Sequence, residues 1–328
     1  MFFFDDDGRG EVRRYARIVN FAVLICTYGD NPSGANEETL EQNYESAAVD
    51  VRSKIQMPAA LTITYIGGPT ALLEFGGVKL LTDPTFDPAG GEYKSTATTL
   101  RKLTGPGLTP KELGRFDYVL LSHDQHFDNL DHEGHAQLTN AKEVFTTAEG
   151  AQRLGGNSVG LHDWETAEVP TPNGNLRIVA TPARHGPEHL HRGAVNGFVL
   201  FMKDAPGHAI YISGDSVWYS GMAEVTERFP VRVAILHLGA ARVPEVGPFH
   251  LTMTSAEGVE AARHFAGATI VPIHFEDWAH FSEGRDKIAA AFAAARLDYR
   301  LQWLERGRPI AIADVPRPPR KETSVVRS

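Results

Sequence analysis

Cysteine is nearly missing from this chain, with Cys26 alone in 328 residues. An intrachain disulfide is thereby excluded, and so is a thiolate cage for a metal. Any bound ion would have to take His, Asp, Glu or Asn as ligands. Basic residues are scarce as well, 32 Lys and Arg against 41 Asp and Glu, for a formal net charge of −9. Nucleic acid is bound through basic patches, so this balance argues against it as a partner. A bound metal would reverse the local field, so an anionic small molecule stays open. Long apolar runs are lacking too. The stretch from Ile18 to Tyr28 falls short of the about 20 residues that cross a bilayer, and no membrane span is expected. Arg13 and Arg14 before it outline an export signal. Asp5 to Asp7 come first, however, Asn20 interrupts the run, and no small-x-small cleavage site follows. A cytoplasmic protein is the expectation, with export as the alternative.

Residues 29–57 are polar and acidic, and 37–52 could form a surface helix. Regular structure is expected to begin near Leu61. Short β-type runs at 61–65, 71–75 and 78–82 follow closely, the last two joined by Gly76-Gly77 as a hairpin turn. Further strands are predicted at 118–121, 143–146, 176–181, 197–202, 209–213, 233–238 and 269–273. Helical patterns lie at 131–138, 148–154, 220–228, 255–265 and 284–295. Strands first, then strands alternating with helices, suit stacked sheets covered by helices, an α/β (α+β) class. The expected organisation is an N-terminal extension (1–58), partly flexible, one folded domain (59–314) and a disordered tail (315–328).

The His and Asp residues fall at the ends of strand-like runs. Tyr118–Leu121 leads into His123, His126 and Asp128. The run at 176–181 leads into His185, Tyr211-Ile-Ser213 into Gly214-Asp215, and the run at 269–273 into His274. A lone His after a strand is more often a satisfied polar group than a ligand. Four such segments in order are hard to assign to chance, because strand ends on one sheet edge converge in space. Imidazole and carboxylate suit zinc, and also manganese or iron.

Ser122-His-Asp-Gln-His-Phe-Asp-Asn-Leu-Asp131 resembles the S/T-H-x-H-x-D-H-x-D signature of metallo-β-lactamase-fold hydrolases. Tyr65-Ile-Gly-Gly-Pro-Thr-Ala-Leu-Leu-Glu74 and Leu80-Leu-Thr-Asp-Pro-Thr-Phe86 look like the opening hairpin and L-T-D-P turn of one branch. That branch holds the ascorbate-phosphate lactonase and N-acyl phosphatidylethanolamine phospholipase D relatives. Thr181-Pro-Ala-Arg-His185, Ile212-Ser-Gly-Asp-Ser216 and Val271-Pro-Ile-His274 are similar to the later metal motifs, in order. The resemblance spans roughly residues 60–312 and implies a four-layer αββα sandwich of the metallo-β-lactamase type.

The signature departs from its pattern in two places. One inserted residue reconciles its two ends, giving His123-x-x-His126-x-Asp128. This is similar to a subgroup with S-H-D-x-H-x-D-N-L-D, in which Gln125 replaces a histidine. Asn129 also stands where the standard signature has histidine, so one ion or two remains open. The resemblance implies one metal on His123, His126 and His185, and a second held or flanked by Asp128, His274 and Asn129, with Asp215 bridging. Zinc is the expected ion, manganese or iron the alternatives. Such an ion lowers the pKa of bound water from about 16 toward about 7, giving hydroxide as nucleophile, and Asp128 would orient it and accept its proton.

Other residues carry paired readings. Asp124 and Asp131 could orient imidazole N–H groups from behind, while Asp131 could equally cap the helix that follows. Asp83-Pro84 reads as a structural turn beneath the site. His250 could donate to an oxyanion or leaving group as a catalytic residue, or be a loop histidine beside the N-cap Thr254. His237 could line the site but reads better as a buried, hydrogen-bonded histidine; His189 and His191 could reach a substrate pocket but read better as a solvated loop; and Trp278 is a candidate pocket wall. His132, His135, His162, His208, His264 and His280 read as structural or exposed. The leading function is metal-dependent hydrolysis of a small-molecule ester, lactone or phosphodiester. The alternative is a non-catalytic or redox protein that keeps the fold with an altered metal centre. Oligomeric state is not legible.

Overall fold

The computed structural model describes residues 60–94, 98–190 and 192–312. The extension at 1–58 with Cys26, the tail at 315–328 and His191 lie outside them. Two large sheets make up the centre. One has seven strands in the order β15-β1-β2-β3-β6-β7-β8, the other six in the order β14-β13-β12-β11-β10-β9. The first runs through β1 (Leu61–Gly67), β2 (Thr70–Phe75), β3 (Val78–Thr82), β6 (Tyr118–Leu120), β7 (Glu143–Thr147), β8 (Ser158–Leu161) and β15 (Pro309–Ile312). The second holds β9 (Thr166–Thr171), β10 (Gly174–Pro182), β11 (Asn196–Met202), β12 (Ala209–Ile212), β13 (Val231–His237) and β14 (Thr269–Ile273). A small ribbon pairs β4 (Glu92–Lys94) with β5 (Thr99–Arg101). The β2–β3 turn works because Gly76 and Gly77 take φ of 63° and 85°, the left-handed pair that matches hairpin twist.

Period-two alternation splits each strand between two cores. Leu73, Leu80, Leu120 and Phe145 of the first sheet face Ile178, Phe198, Ile212 and Ile235 of the second in one buried cluster. Their neighbours Leu72, Leu81, Val119 and Val144 point outward into a second cluster. There they meet Leu113 of α1 (Pro110–Leu113), Leu138 just after α2 (His132–Gln137), and Leu154 of α3 (Ala148–Leu154). On the far side Val199, Tyr211, Ala234 and Ile270 pack beneath α4 (Ser220–Arg228), α5 (Ser255–His264) and α6 (Arg285–Ala294) through Met222, Val225, Val259, Ile288 and Phe292. The layers are therefore helices, sheet, sheet, helices, the αββα sandwich that the motifs imply.

Each sheet opens as an antiparallel meander and continues in parallel: β3 with β6 and β6 with β7, then β12 with β13 and β13 with β14. Parallel strands end on one edge, and ligand sites in such sheets lie beyond their carboxyl ends. The sheets are joined there, since Asn196 N at the start of β11 donates to Ser122 O just after β6 (3.0 Å). Among the described residues no helix is long and apolar enough to cross a membrane.

Candidate metal centre

Five strand ends meet at that edge. β6 delivers Ser122 and His123, β10 leads to His185, β12 to Asp215, β13 ends on His237 and β14 precedes His274. The base is set by Asp83, after β3, whose Oδ1 accepts Ser122 N at 2.6 Å. Asp83 has φ 29° and His274 φ 57°, left-handed conformations that non-glycine residues adopt only where surroundings impose them.

Three imidazoles form the first cluster. His123 Nε2 lies 2.8 Å and His185 Nε2 3.1 Å from His126 Nδ1. The opposite ring atoms are held from behind: His123 Nδ1 is 2.9 Å from Ser122 Oγ, and His185 Nδ1 is 2.9 Å from the Leu251 carbonyl. Nδ1–H donation there leaves both Nε2 lone pairs facing inward. Burial drives His123 down to about 3, and it also lowers His126 and His185, so the rings are neutral in ordinary buffers. Neutral imidazole is the ligating form.

Asp215 links this cluster to a second one. Its Oδ2 stands 3.8 Å from His185 Nε2, and its Oδ1 lies 2.9 Å from His237 Nδ1 and 3.0 Å from His274 Nδ1. On the other side of the His274 ring, Nε2 is 3.6 Å from Asp128 Oδ2, which in turn lies 3.0 Å from His280 Nε2. Burial alone would raise both carboxyls. The His274 charge and the His237 hydrogen bond hold Asp215 well below the usual range, and His280 and His274 do the same for Asp128. Burial would lower His274, but Asp215 and Asp128 outweigh it and push the ring up to about 10. Asn129 Nδ2 donates to Ser122 Oγ and Asp215 Oδ1, each at 3.4 Å.

Do these residues fit a metal? Asp215 Oδ2, His274 Nε2, His237 Nε2 and Asn129 Oδ1 are buried without a hydrogen-bond partner. Native proteins rarely leave such atoms orphaned, and a cation is what a nitrogen- and carboxylate-rich set of this kind would satisfy. Two of the imidazole separations, 2.8 and 3.1 Å, stand near the value of about 3.3 Å expected for donors around tetrahedral zinc, and all three nitrogens lie within 4.8 Å of one another. The donor set fits.

Beyond the ligands lies a cavity of about 180 Å3, bordered by His126, Asp128, His185, His280, Gln125 and Arg192. Its apolar wall comes from Tyr93, Leu100, Val243 and Leu251, which belong to one buried cluster with Trp278 behind them.

Several expected roles fall elsewhere. Asp124 reaches no imidazole; it takes Arg153 Nε and Nη2 at 2.7 and 2.5 Å on the surface side. Asp131 is the N-cap of α2, accepting Gly134 N at 2.8 Å, and it also takes Phe86 N, Asp87 N and Lys102 Nζ. With its two oxygens already accepting from four donors, it has no lone pair to spare for a histidine N–H. His250 pairs with Glu257 at 2.9 Å rather than with the clusters. His189 is an exposed loop residue against Phe249. His280, read from sequence as structural or exposed, corrects that reading by touching Asp128. Its only signal was position, six residues beyond His274. Arg192 carried no signal, since a loop arginine ordinarily reads as solvated.

Residues 79–275 match the family model described as the beta-lactamase superfamily domain. A metal-dependent hydrolase of Methanoregula boonei is 30% identical over 237 residues, covering 70% of this chain and 85% of that protein. Another from Natranaerobius thermophilus is 27% identical over 225 residues, covering 66% and 85%. The solved structure of isothiocyanate hydrolase from Delia radicum gut bacteria matches with a TM-score of 0.65 at 22% identity, covering 77% of this chain and 99% of that one. At that identity the match carries the fold.

Proposed function

The chain belongs to the beta-lactamase superfamily domain family, and on that premise we propose that it is a metal-dependent hydrolase of small-molecule esters, lactones or phosphodiesters. The observation that carries this reading is the convergence of His123 Nε2, His126 Nδ1 and His185 Nε2, with the unpartnered Asp215 Oδ2 facing them. These four would hold one ion. Asp128, His274 and His280 would hold a second, with His280 supplying the imidazole that Asn129 does not. Zinc suits a nitrogen-rich set, and manganese or iron can take the same donors.

A metal held there would supply Lewis acidity, lowering the pKa of water and polarising a carbonyl or phosphoryl group. The protein's own groups do the rest. Asp128, held ionised by His280 and His274, borders the cavity and would take the proton of the attacking water. The Leu251 carbonyl and Ser122 Oγ keep two imidazoles in the ligating tautomer. Tyr93, Leu100 and Val243 exclude bulk water on one side. The non-catalytic alternative rested on Gln125 and Asn129. It is weakened because His280 stands beside Asp128 and the three-histidine cluster is whole.

The test is metal analysis of the purified protein, with hydrolysis of a 4-nitrophenyl ester, a lactone and bis(4-nitrophenyl) phosphate before and after chelation. Bound metal and a chelator-sensitive activity are expected, and His126→Ala should lose the activity and about one equivalent of metal. A native preparation that is metal-free and cannot be reconstituted would sink the reading.

A further inference from the structure

One strong charge at the cavity is left unused by the metal ligands. Arg192 sits on the loop between β10 and β11 and borders the cavity beside His126 and His185. Its Nη2 lies 3.3 Å from His126 Nε2, and its Nε is buried with no hydrogen-bond partner. Among the described residues no carboxylate pairs with it. Arg192 is half-buried, with its Nε shut away from solvent and its charge at the cavity wall, an arrangement that an anionic ligand in the cavity would complete.

The contact with His126 does not answer that need once metal is bound. His126 turns Nδ1 toward His123 and His185. An imidazole that ligates through Nδ1 carries its proton on Nε2, so Nε2 becomes a donor facing a donor. The guanidinium then has no acceptor among the described residues and borders the cavity.

The loop is also built to hold Arg192 there. Gln125 Nε2 donates to Ala194 O at 3.4 Å. The intervening Gly193 has φ 95°, and a Cβ added to it would run into Gln125 Nε2. Glycine lets the loop close down on Gln125, and Gln125 pegs it in place. The residue that departs from the family signature thus gains a positioning role for Arg192.

We infer that Arg192 is the subsite for an oxyanion carried by the substrate, a carboxylate or phosphate group next to the scissile bond. This rests on the hydrolase reading above. A cavity of about 180 Å3 places the anion and the reacting group on one small molecule. Guanidinium favours such groups because its paired N–H donors match two oxygens at once.

The experiment uses the metal-loaded full chain as wild type, Arg192→Gln and Arg192→Lys. Succinate and inorganic phosphate are titrated calorimetrically, and hydrolysis of 4-nitrophenyl succinate is compared with that of 4-nitrophenyl acetate and bis(4-nitrophenyl) phosphate. Wild type is expected to bind at least one anion, and Arg192→Gln to bind it about tenfold or more weakly at unchanged metal content. Arg192→Lys should recover part of the loss, since it keeps the charge and loses the fork. The preference for the anionic over the neutral ester should fall in step. Stronger binding of phosphate than succinate would point to a substrate that carries a phosphate group beside the scissile bond, the reverse to a carboxylate-bearing ester or lactone. Equal anion affinity in wild type and Arg192→Gln, or no anion binding by wild type, overturns the inference. Hydrolysis without dependence on Arg192 removes the subsite and leaves the hydrolase. Arg192-dependent anion binding without hydrolysis does the opposite.

Discussion

His280 Nε2 and Asp128 Oδ2 stand 3.0 Å apart although 152 residues separate them in the chain. The contact puts an imidazole beside the second cluster, where the family signature would have drawn one from position 129. Asn129 instead turns its amide nitrogen toward Asp215.

Removing that imidazole should therefore cost one ion and not both. His280→Ala is expected to bind about one equivalent fewer than wild type in a cobalt titration, while the three-histidine site fills as before. Asn129→His in the His280→Ala background should restore the lost equivalent. An unchanged stoichiometry in His280→Ala would remove His280 from the ligand set.

Asp131 and Lys102 make a different kind of pair. Their side chains are 0% and 2% exposed and 2.7 Å apart. Asp131→Ala would leave a buried ammonium unpaired along with three backbone N–H groups. A loss of about 3–5 kcal/mol is expected in urea unfolding. Lys102→Met should cost less, because Asp131 keeps Phe86 N, Asp87 N and Gly134 N. If Asp131→Ala instead weakened metal binding while stability held, the carboxylate would be acting on an imidazole after all.

The layers were legible because their strands are long enough for alternation to register. Residues 71–75 and 78–82 show it around a Gly-Gly turn, and the structure has β2 and β3 there. The ribbon was not legible: β4 and β5 have three residues each with one buried, too few to display a period. That gap matters, since Tyr93 and Leu100 from the ribbon wall the cavity. At the site, residues announced by a preceding strand were found, namely His123, His185, Asp215 and His274. His280 and Arg192 sit on loops whose course depends on tertiary packing. Asp124 and Ser122 flank His123 in sequence, and only the fold decides which of them turns to the ring and which to Arg153.

Without metal, the histidine shifts predict a stability maximum near pH 6.5. His123 titrates at about 3 when folded, and His126, His185 and His237 are also lowered by burial. Unfolded, all four titrate near about 6.5. Below that pH the unfolded chain binds protons that the native state refuses, so stability falls as pH drops. His274 has the opposite sign. Raised to about 10, it contributes fully below about pH 6.5, and that contribution is lost as pH rises through 10. Each group can tilt the curve by up to about 1.4 kcal/mol per pH unit. Urea midpoints of metal-free protein from pH 5 to 9 should peak near neutrality, with the steeper fall on the acid side. His123→Gln should make the acid limb less steep, with His126, His185 and His237 still contributing. His274→Gln should do the same to the alkaline limb, to which the buried Asp83 carboxyl, raised to about 8, also contributes. A wild-type profile flat from pH 5 to 9 would contradict both assignments.

Ser122 and Asp124 give the last discriminating pair. Ser122 Oγ is 2.9 Å from His123 Nδ1, and accepting that N–H is what leaves Nε2 free to ligate. With Ser122→Ala the ring can change tautomer or turn, and metal affinity should drop about 10- to 100-fold in competition with a chromophoric chelator. Asp124→Ala loses an ion pair whose Arg153 side chain is 46% exposed, so it should cost at most about 1 kcal/mol. Its metal affinity should match wild type, because the carboxylate points away from all three imidazoles. If the two variants exchanged these phenotypes, the orientation of the loop from Ser122 to Asp131 would be wrong, and with it the assignment of His126 Nδ1 as the ligating nitrogen.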